Sequence, residues 1–215
     1  MAEAGYKQKA YEYLKRQIVR GELLPGAIIS EKELISELGI SRTPIREAIQ
    51  RLAEERLLLV MPSRGTIVSY ISVDDVRQIY EARKLIEPYV AKQAALHADA
   101  ERIMEFRRIF DGQTDYHPQD NDWDCEFHMY LAECSGNQFL RRQVEELMTQ
   151  SMRIRMLSNE KRSQSFELAR KEHLAVIDAI LAQDPEAASE AILSHLLRSE
   201  EGYKEIYPNP VYFSL

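Results

Sequence analysis

A chain of 215 residues, 45% hydrophobic and 29% charged, can bury a full core in one large domain or two modest ones, and eight Gly with eight Pro exclude a loop-rich β protein or a low-complexity chain. No apolar run approaches the roughly 18 residues of a membrane span, the start MAEAGYKQKAY has no signal-peptide core, and two cysteines make neither a disulfide framework nor a CxxC knuckle, so a cytoplasmic protein is expected. The net charge of −7 divides unevenly, 11 Lys+Arg against 9 Asp+Glu in residues 1–70 and 17 against 26 beyond, which implies two domains with different partners.

In chain order, residues 5–20 put Tyr6, Ala10, Leu14 and Ile18 on one helical face, and Gly21 can end that helix. LLPG is a turn. Ser30 stands three residues before Glu33, a capping-box spacing, and opens a short helix carrying Leu34, Ile35 and Leu38 that Gly39 stops. Ser41 or Thr43 caps a third helix with Pro44 in its first turn, where a missing N–H costs nothing. LLLV and TIVSY read as two strands around MPSRG, a hairpin. Helix–helix–turn–helix–hairpin is the order of a winged helix-turn-helix.

The third helix has the pattern of a DNA-reading helix. Ile45, Ala48, Ile49 and Leu52 form an anchoring stripe, while Thr43, Arg46, Glu47 and Gln50 face the other way with Arg42 in the first turn. Arg can pair bidentately with guanine, Thr can reach phosphate or base edges, and a helix N-terminus favours a phosphate. Arg64 and Gly65, at the hairpin tip, suit the backbone or minor groove. A surface helix with solvated arginines is the plainer reading of the helix in isolation. The preceding helix, tight turn and hairpin tip the balance towards DNA.

From Ser72 onward every segment has helical period. Six helices are expected, near 73–98, 100–113, 120–135, 138–159, 163–183 and 185–206, the first opened by a Ser72–Asp75 capping box. Inward stripes carry unexpected polar residues. Asp124 and His128 are one turn apart beside Phe127 and Leu131; His173 shares a face with Val176, Ile177 and Ile180; His195 lies among Ile192, Leu196 and Ser199. Such residues are either core histidines with their acceptors, an acid–base pair, or ligands of a divalent ion, Zn or Ni first and Mn or Fe next. His97 and His117 lack such placement. Arg83 also falls inward, with Val76, Tyr80 and Val90, and needs a carboxylate, either Glu87 one turn on or that of a small ligand. Arg155 lies near the inward face of its helix and is a weaker candidate for the same role.

The run SEKELISELGISRTPIREAIQRLAEERLLLVMPSRGTIV resembles the DNA-binding domain of the GntR family of bacterial transcription regulators. The resemblance implies that Arg42 and Arg46 read bases or phosphates, that Thr43 assists, that Lys32 touches the backbone and that Gly65 makes a close approach at the wing. It departs at Arg56, where a glycine commonly stands. YEARKLIE, DCEFH with SGN after it, EHLAVIDAI and the later HLL resemble the FCD-type effector domain of the FadR-like branch, in its shorter, six-helix subgroup. That implies a divalent metal on Asp124, His128, His173 and His195 beneath an organic-acid site, with Arg83 and Asn137 facing it.

The fold expected is therefore mostly α: a winged helix-turn-helix over residues 1–70 and an all-α metal- and effector-binding, dimerisation bundle over 71–215. The expected function is a homodimeric repressor that binds an inverted-repeat operator in double-stranded DNA and senses a small organic or sugar acid, with no membrane partner. Two alternatives stand beside it, a regulator with a purely structural metal and a helical metalloenzyme. The enzyme would need a general base, for which Glu126 and Glu172 are the candidates.

Overall fold

The computed structural model describes residues 2–62, 65–113, 123–157 and 162–206. It divides into two compact units, residues 1–71 and 72–215.

The first unit holds α1 (Ala2–Val19), β1 (Ile28–Ile29), α2 (Glu31–Leu38), α3 (Arg42–Glu54), β2 (Leu58–Met61) and β3 (Gly65–Val68). Ala10, Leu14 and Ile18 of α1 pack on Ile45, Ala48, Ile49 and Leu52 of α3. Tyr6, expected on that face, is 48% exposed, and Tyr11 is buried in its place. Its hydroxyl donates to Glu55 (2.7 Å) while Arg51 lies over its ring, so a tyrosine is satisfied at both ends there. The sheet is antiparallel in the order β1–β3–β2, with Leu58 opposite Val68 and Ile28 opposite Ile67. The third strand was not expected, because two residues carry no alternation to recognise. Ser30 caps α2 as its spacing predicts, its Oγ accepting from the Glu33 N–H. Ser41 stands at the N-cap of α3, one of the two positions expected, but its side chain makes no capping bond; Thr43 lies inside the helix and is exposed.

α3 ends through Arg56, which takes a left-handed φ of 59°. Its N–H reaches the Ala53 carbonyl, the Leu57 N–H reaches Leu52, and buried Leu57 closes the motif. This is a position that favours glycine, in keeping with the residue that commonly stands there in the resembling family.

The second unit holds the six expected helices: α4 (Val73–His97), α5 (Ala100–Phe110), α6 (Trp123–Cys134), α7 (Gln138–Leu157), α8 (Arg162–Leu181) and α9 (Pro185–Ile206). The Ser72–Asp75 capping box forms in both directions. α4 is the axis of the unit, packing against α6, α7, α8 and α9. The apolar core is built from Phe106, Phe110, Phe127, Leu131, Val144, Met148, Val176, Ile177 and Ile192, with Phe106 edge-on to Phe127 at 5.3 Å between centroids. No helix of the described residues is long and apolar enough to cross a membrane.

Candidate functional site

On α2 and α3 the side chains singled out for DNA are all on the surface: Lys32, Arg42, Thr43, Arg46 and Gln50 are exposed, opposite the buried stripe of Ile45, Ala48, Ile49 and Leu52. Arg46 donates its Nε–H to Glu31 at 2.9 and 3.0 Å, Arg42 lies 3.8 Å from the same carboxylate, and Gln50 reaches Glu54. Gly65 is exposed with φ of 93°; a Cβ there would meet nothing within 4 Å, so the backbone conformation and not crowding favours glycine. Arg64 lies outside the described residues.

In the second unit, α6, α8 and α9 bring Asp124, His128, His173 and His195 together, one donor atom of each lying within 4.8 Å of the others. His173 Nε2 is 3.3 Å from His128 Nε2 and 3.3 Å from Asp124 Oδ1, and His128 Nε2 is 3.9 Å from that oxygen. Ligands on one tetrahedral ion lie roughly 3.3 Å apart, so the spacing suits a single cation. Two imidazole nitrogens and a carboxylate oxygen at such distances also repel unless a proton or a cation lies among them. The rings are buried, at 1, 1 and 4% exposure for His128, His173 and His195.

The residues behind the rings set which nitrogen faces inward. His128 Nδ1 is 2.5 Å from Glu87 Oε2, and His195 Nδ1 is 2.8 Å from Glu172 Oε2. A carboxylate only accepts, so Nδ1 carries the proton in both and Nε2 is left for the cluster. Among the described residues His173 has no carboxylate behind it. Its ring stacks on Phe110 at 4.6 Å, and its Nδ1 is buried without a hydrogen-bond partner among the described residues. Burial pushes the His173 and His195 pKa values down, His195 well down with His173 and His128 adding to it. Burial alone would raise the Asp124 carboxyl, but Arg155, His173 and His128 hold it well below the usual range. Imidazoles kept neutral by burial, as His173 and His195 are, beside an ionised Asp124 are the protonation states a divalent cation needs, so the residues present fit one.

Arg83 proves to be paired: its Nε donates to Glu87 Oε1 at 2.5 Å and its Nη1 to Ser151 Oγ at 3.2 Å, with the guanidinium 5.2 Å from the Tyr80 ring centre. Of the two partners open to it from sequence, the structure shows the one a turn away. Burial opposes the Glu87 charge, yet Arg83 and His128 together hold its pKa at about 2. Arg155 donates to the second oxygen of Asp124 at 2.6 Å, which makes this weaker candidate a direct neighbour of the cluster. Tyr80 and Tyr203, with ring centres 5.8 Å apart, lie by the same groups, and both hydroxyl pKa values are raised by burial first. Asn137 is exposed; its Oδ1 accepts from the Phe139 and Leu140 N–H groups, capping α7, and neither of these bonds joins it to the cluster.

Sequence periodicity missed the double role of Glu87, which ties Arg83 to His128, and the place of Glu172 behind His195. The signal for Glu87 was present as an (i, i+4) spacing from Arg83, whereas its contact with α6 has no local trace. Glu172, a candidate base for the enzyme reading, is engaged by His195 and by Arg198.

Residues 6–68 match the bacterial regulatory proteins of the gntR family, and residues 78–198 match the FCD domain. The chain is 30% identical over 204 residues to the HTH-type transcriptional repressor RspR of Escherichia coli K12, covering 93% of this chain and 89% of that protein. It is 27% identical over 210 residues to the HTH-type regulator YdhC of Bacillus subtilis, covering 94% and 92%. In fold it resembles a GntR regulator from Rhodococcus sp. RHA1 (TM-score 0.78, 22% identity, 93% of this chain and 97% of that one). A Zn2+-bound FCD domain of another transcriptional regulator matches 66% of this chain and all of that one, with a TM-score of 0.52 and 21% identity. These relatives are transcriptional regulators and not enzymes, which removes the metalloenzyme alternative. The chain therefore belongs to the GntR family of bacterial regulatory proteins and is a DNA-binding transcription regulator, not an enzyme, with an FCD domain following its helix-turn-helix.

Proposed function

We propose that the protein is a repressor that reads an inverted-repeat operator as a homodimer and responds to a small organic or sugar acid through a divalent ion held by Asp124, His128, His173 and His195. The observation that carries this is the convergence of those four donors on one buried point with Arg155 at its edge. The Zn2+-bound FCD domain of the related fold supports Zn2+ as the ion, and the imidazole and carboxylate donors suit Ni2+ as well, with Mn2+ or Fe2+ next. Repression is supported by the E. coli relative being a transcriptional repressor. Two DNA-reading helices per dimer suit two half-sites on successive major grooves. In this reading Arg42, Thr43, Arg46, Gln50 and the wing residues Arg64 and Gly65 meet the duplex, with Lys32 on its backbone. Replacing Arg46 with alanine costs roughly 1–3 kcal/mol in operator binding; equal binding by fluorescence anisotropy sinks the assignment.

When bound, the ion supplies a Lewis-acidic contact for an acid's carboxylate or hydroxyl oxygen. The chain's own residues do the rest. Asp124 and the three Nε2 atoms hold position, Glu87 and Glu172 fix the ring tautomers, and Arg155 balances the charge of Asp124. Arg155 and Arg83 are the polar groups assigned to the acid, and Asn137 would join them only by leaving its cap on α7. Arg83 serves the acid only through donors beyond its pair with Glu87. Because a ligand shifts an equilibrium only by its differential affinity, the acid must favour one of the DNA-competent and DNA-incompetent states.

A purely structural ion is the second reading, favoured by the burial of all three histidines. Thermal unfolding of metal-loaded protein against a panel of carboxylic, hydroxy and sugar acids decides between them. An acid at about 100 times its dissociation constant stabilises by about 2.7 kcal/mol. A shift that vanishes in both Arg155→Ala and His173→Ala supports sensing. No shift with any acid, while chelation alone lowers the midpoint, establishes the structural role.

A further inference from the structure

We propose that Glu31 is a positioning residue for DNA reading: it holds Arg46 by the Nε edge of its guanidinium and so presents both Nη groups to a guanine. The inference rests on α3 being the base-reading helix and goes beyond it by assigning a role to a residue of α2.

The geometry is asymmetric. Arg46 donates from Nε to both Glu31 oxygens, at 2.9 and 3.0 Å, and its Nη groups have no partner among the described residues. A guanidinium is a flat plate with five N–H groups, so engaging it at Nε leaves the opposite edge as a parallel pair of donors. That edge matches the O6 and N7 acceptors of guanine. Glu31 is itself held well for this task. It occupies the first position of α2, just after the Ser30 cap, where the helix N-terminus favours a carboxylate, and its side chain is only 34% exposed. Arg46 is 61% exposed. A long exposed arginine loses much rotamer freedom on binding, and a partner that orders it beforehand removes part of that cost. Arg42, 3.8 Å from the same carboxylate on the preceding turn, shares the anchor.

The opposite expectation is that Glu31 only places a negative charge in the way of phosphates. The two differ in what they do to sequence discrimination. The full-length wild-type chain is used to select duplexes from a random pool. The selected consensus, and versions with each G·C pair changed in turn, are then bound by wild type, Glu31→Ala, Glu31→Gln, Arg46→Ala and the double alanine variant.

Arg46→Ala is expected to flatten discrimination at one G·C pair per half-site by roughly 5- to 150-fold, and Glu31→Ala to flatten it at that same pair by roughly threefold or more, leaving other positions unchanged. Glu31→Gln, which keeps one acceptor oxygen without charge, restores part of the discrimination. The double variant is no worse than Arg46→Ala. Melting of the free variants moves little, because an exposed ion pair adds little to stability. If Glu31→Ala and Glu31→Gln tighten binding to every duplex alike with discrimination intact, Glu31 is an electrostatic brake and the proposal is overturned. A Glu31→Ala loss that persists in the Arg46→Ala background overturns it as well. Should wild type enrich no sequence, or Arg46→Ala keep full discrimination, the reading of α3 fails and takes this inference with it.

Discussion

Glu87 shows how much one buried side chain can carry. One oxygen takes the Arg83 Nε–H and the other takes the His128 Nδ1–H, so a single carboxylate neutralises a buried guanidinium and orients a ring of the cluster. Glu87→Gln leaves Arg83 buried without its countercharge and is expected to destabilise the metal-free protein by about 3–5 kcal/mol in denaturant unfolding. It also lowers metal affinity roughly 10- to 100-fold by calorimetric titration. A variant with unchanged affinity would show that His128 needs no orienting partner. The same residues give the metal-free protein an acid sensitivity. The unfolded chain binds protons on His173 and His195 more tightly than the fold does, so their contribution is complete above about 6.5 and fades as pH falls below it. Glu87, held at about 2, adds a contribution present above the ordinary carboxylate value of 4.5 and lost as pH falls towards 2. The melting temperature of metal-free protein should drop from pH 7.5 to 6 to 5. A flat profile over that range would contradict the burial of these rings.

At the scale of the element, the end of α3 is the clearest case of sequence and structure in tension. Arg56 adopts a left-handed conformation that costs a residue with a Cβ about 1–2 kcal/mol, partly offset because glycine loses more freedom on folding. Arg56→Gly is therefore expected to stabilise the protein by roughly 0.5–1 kcal/mol, read as a raised unfolding midpoint; a loss of stability would mean that the arginine side chain makes up the difference. The helices themselves were legible because the 3.6-residue period is a local signal. The stripe Val76, Tyr80, Arg83 and Val90 is buried as its spacing predicts. Capping was legible where the chemistry is local, at Ser30 and Ser72, and failed at Ser41, whose side chain makes no capping bond. β1 was illegible because two residues become a strand only when β3 arrives beside them.

At the scale of the whole molecule, the two units carry different charge and different chemistry. A cation bound only by the folded protein stabilises it in proportion to ligand excess, so chelation of metal-loaded protein is expected to lower the melting temperature. The change should be absent in His173→Ala, and its survival there would place the ion elsewhere. What the sequence determined by itself was local: two units differing in composition, the number and inward faces of the helices, and a recognition-helix pattern with Arg42 and Arg46 outward. It also set Asp124, His128, His173 and His195 each on an inward stripe, but a stripe says only that a residue points to a core, not which residue it meets there. Resemblance to a family, and not periodicity, implied that the four form one set. Only tertiary packing decided that α6, α8 and α9 bring their donors within 4.8 Å, that Glu87 and Glu172 stand behind two of the rings, and that Arg155 borders Asp124. Those meetings depend on how whole helices rotate and slide against one another, which is settled by summed burial over the entire core and leaves no mark in any short window of sequence.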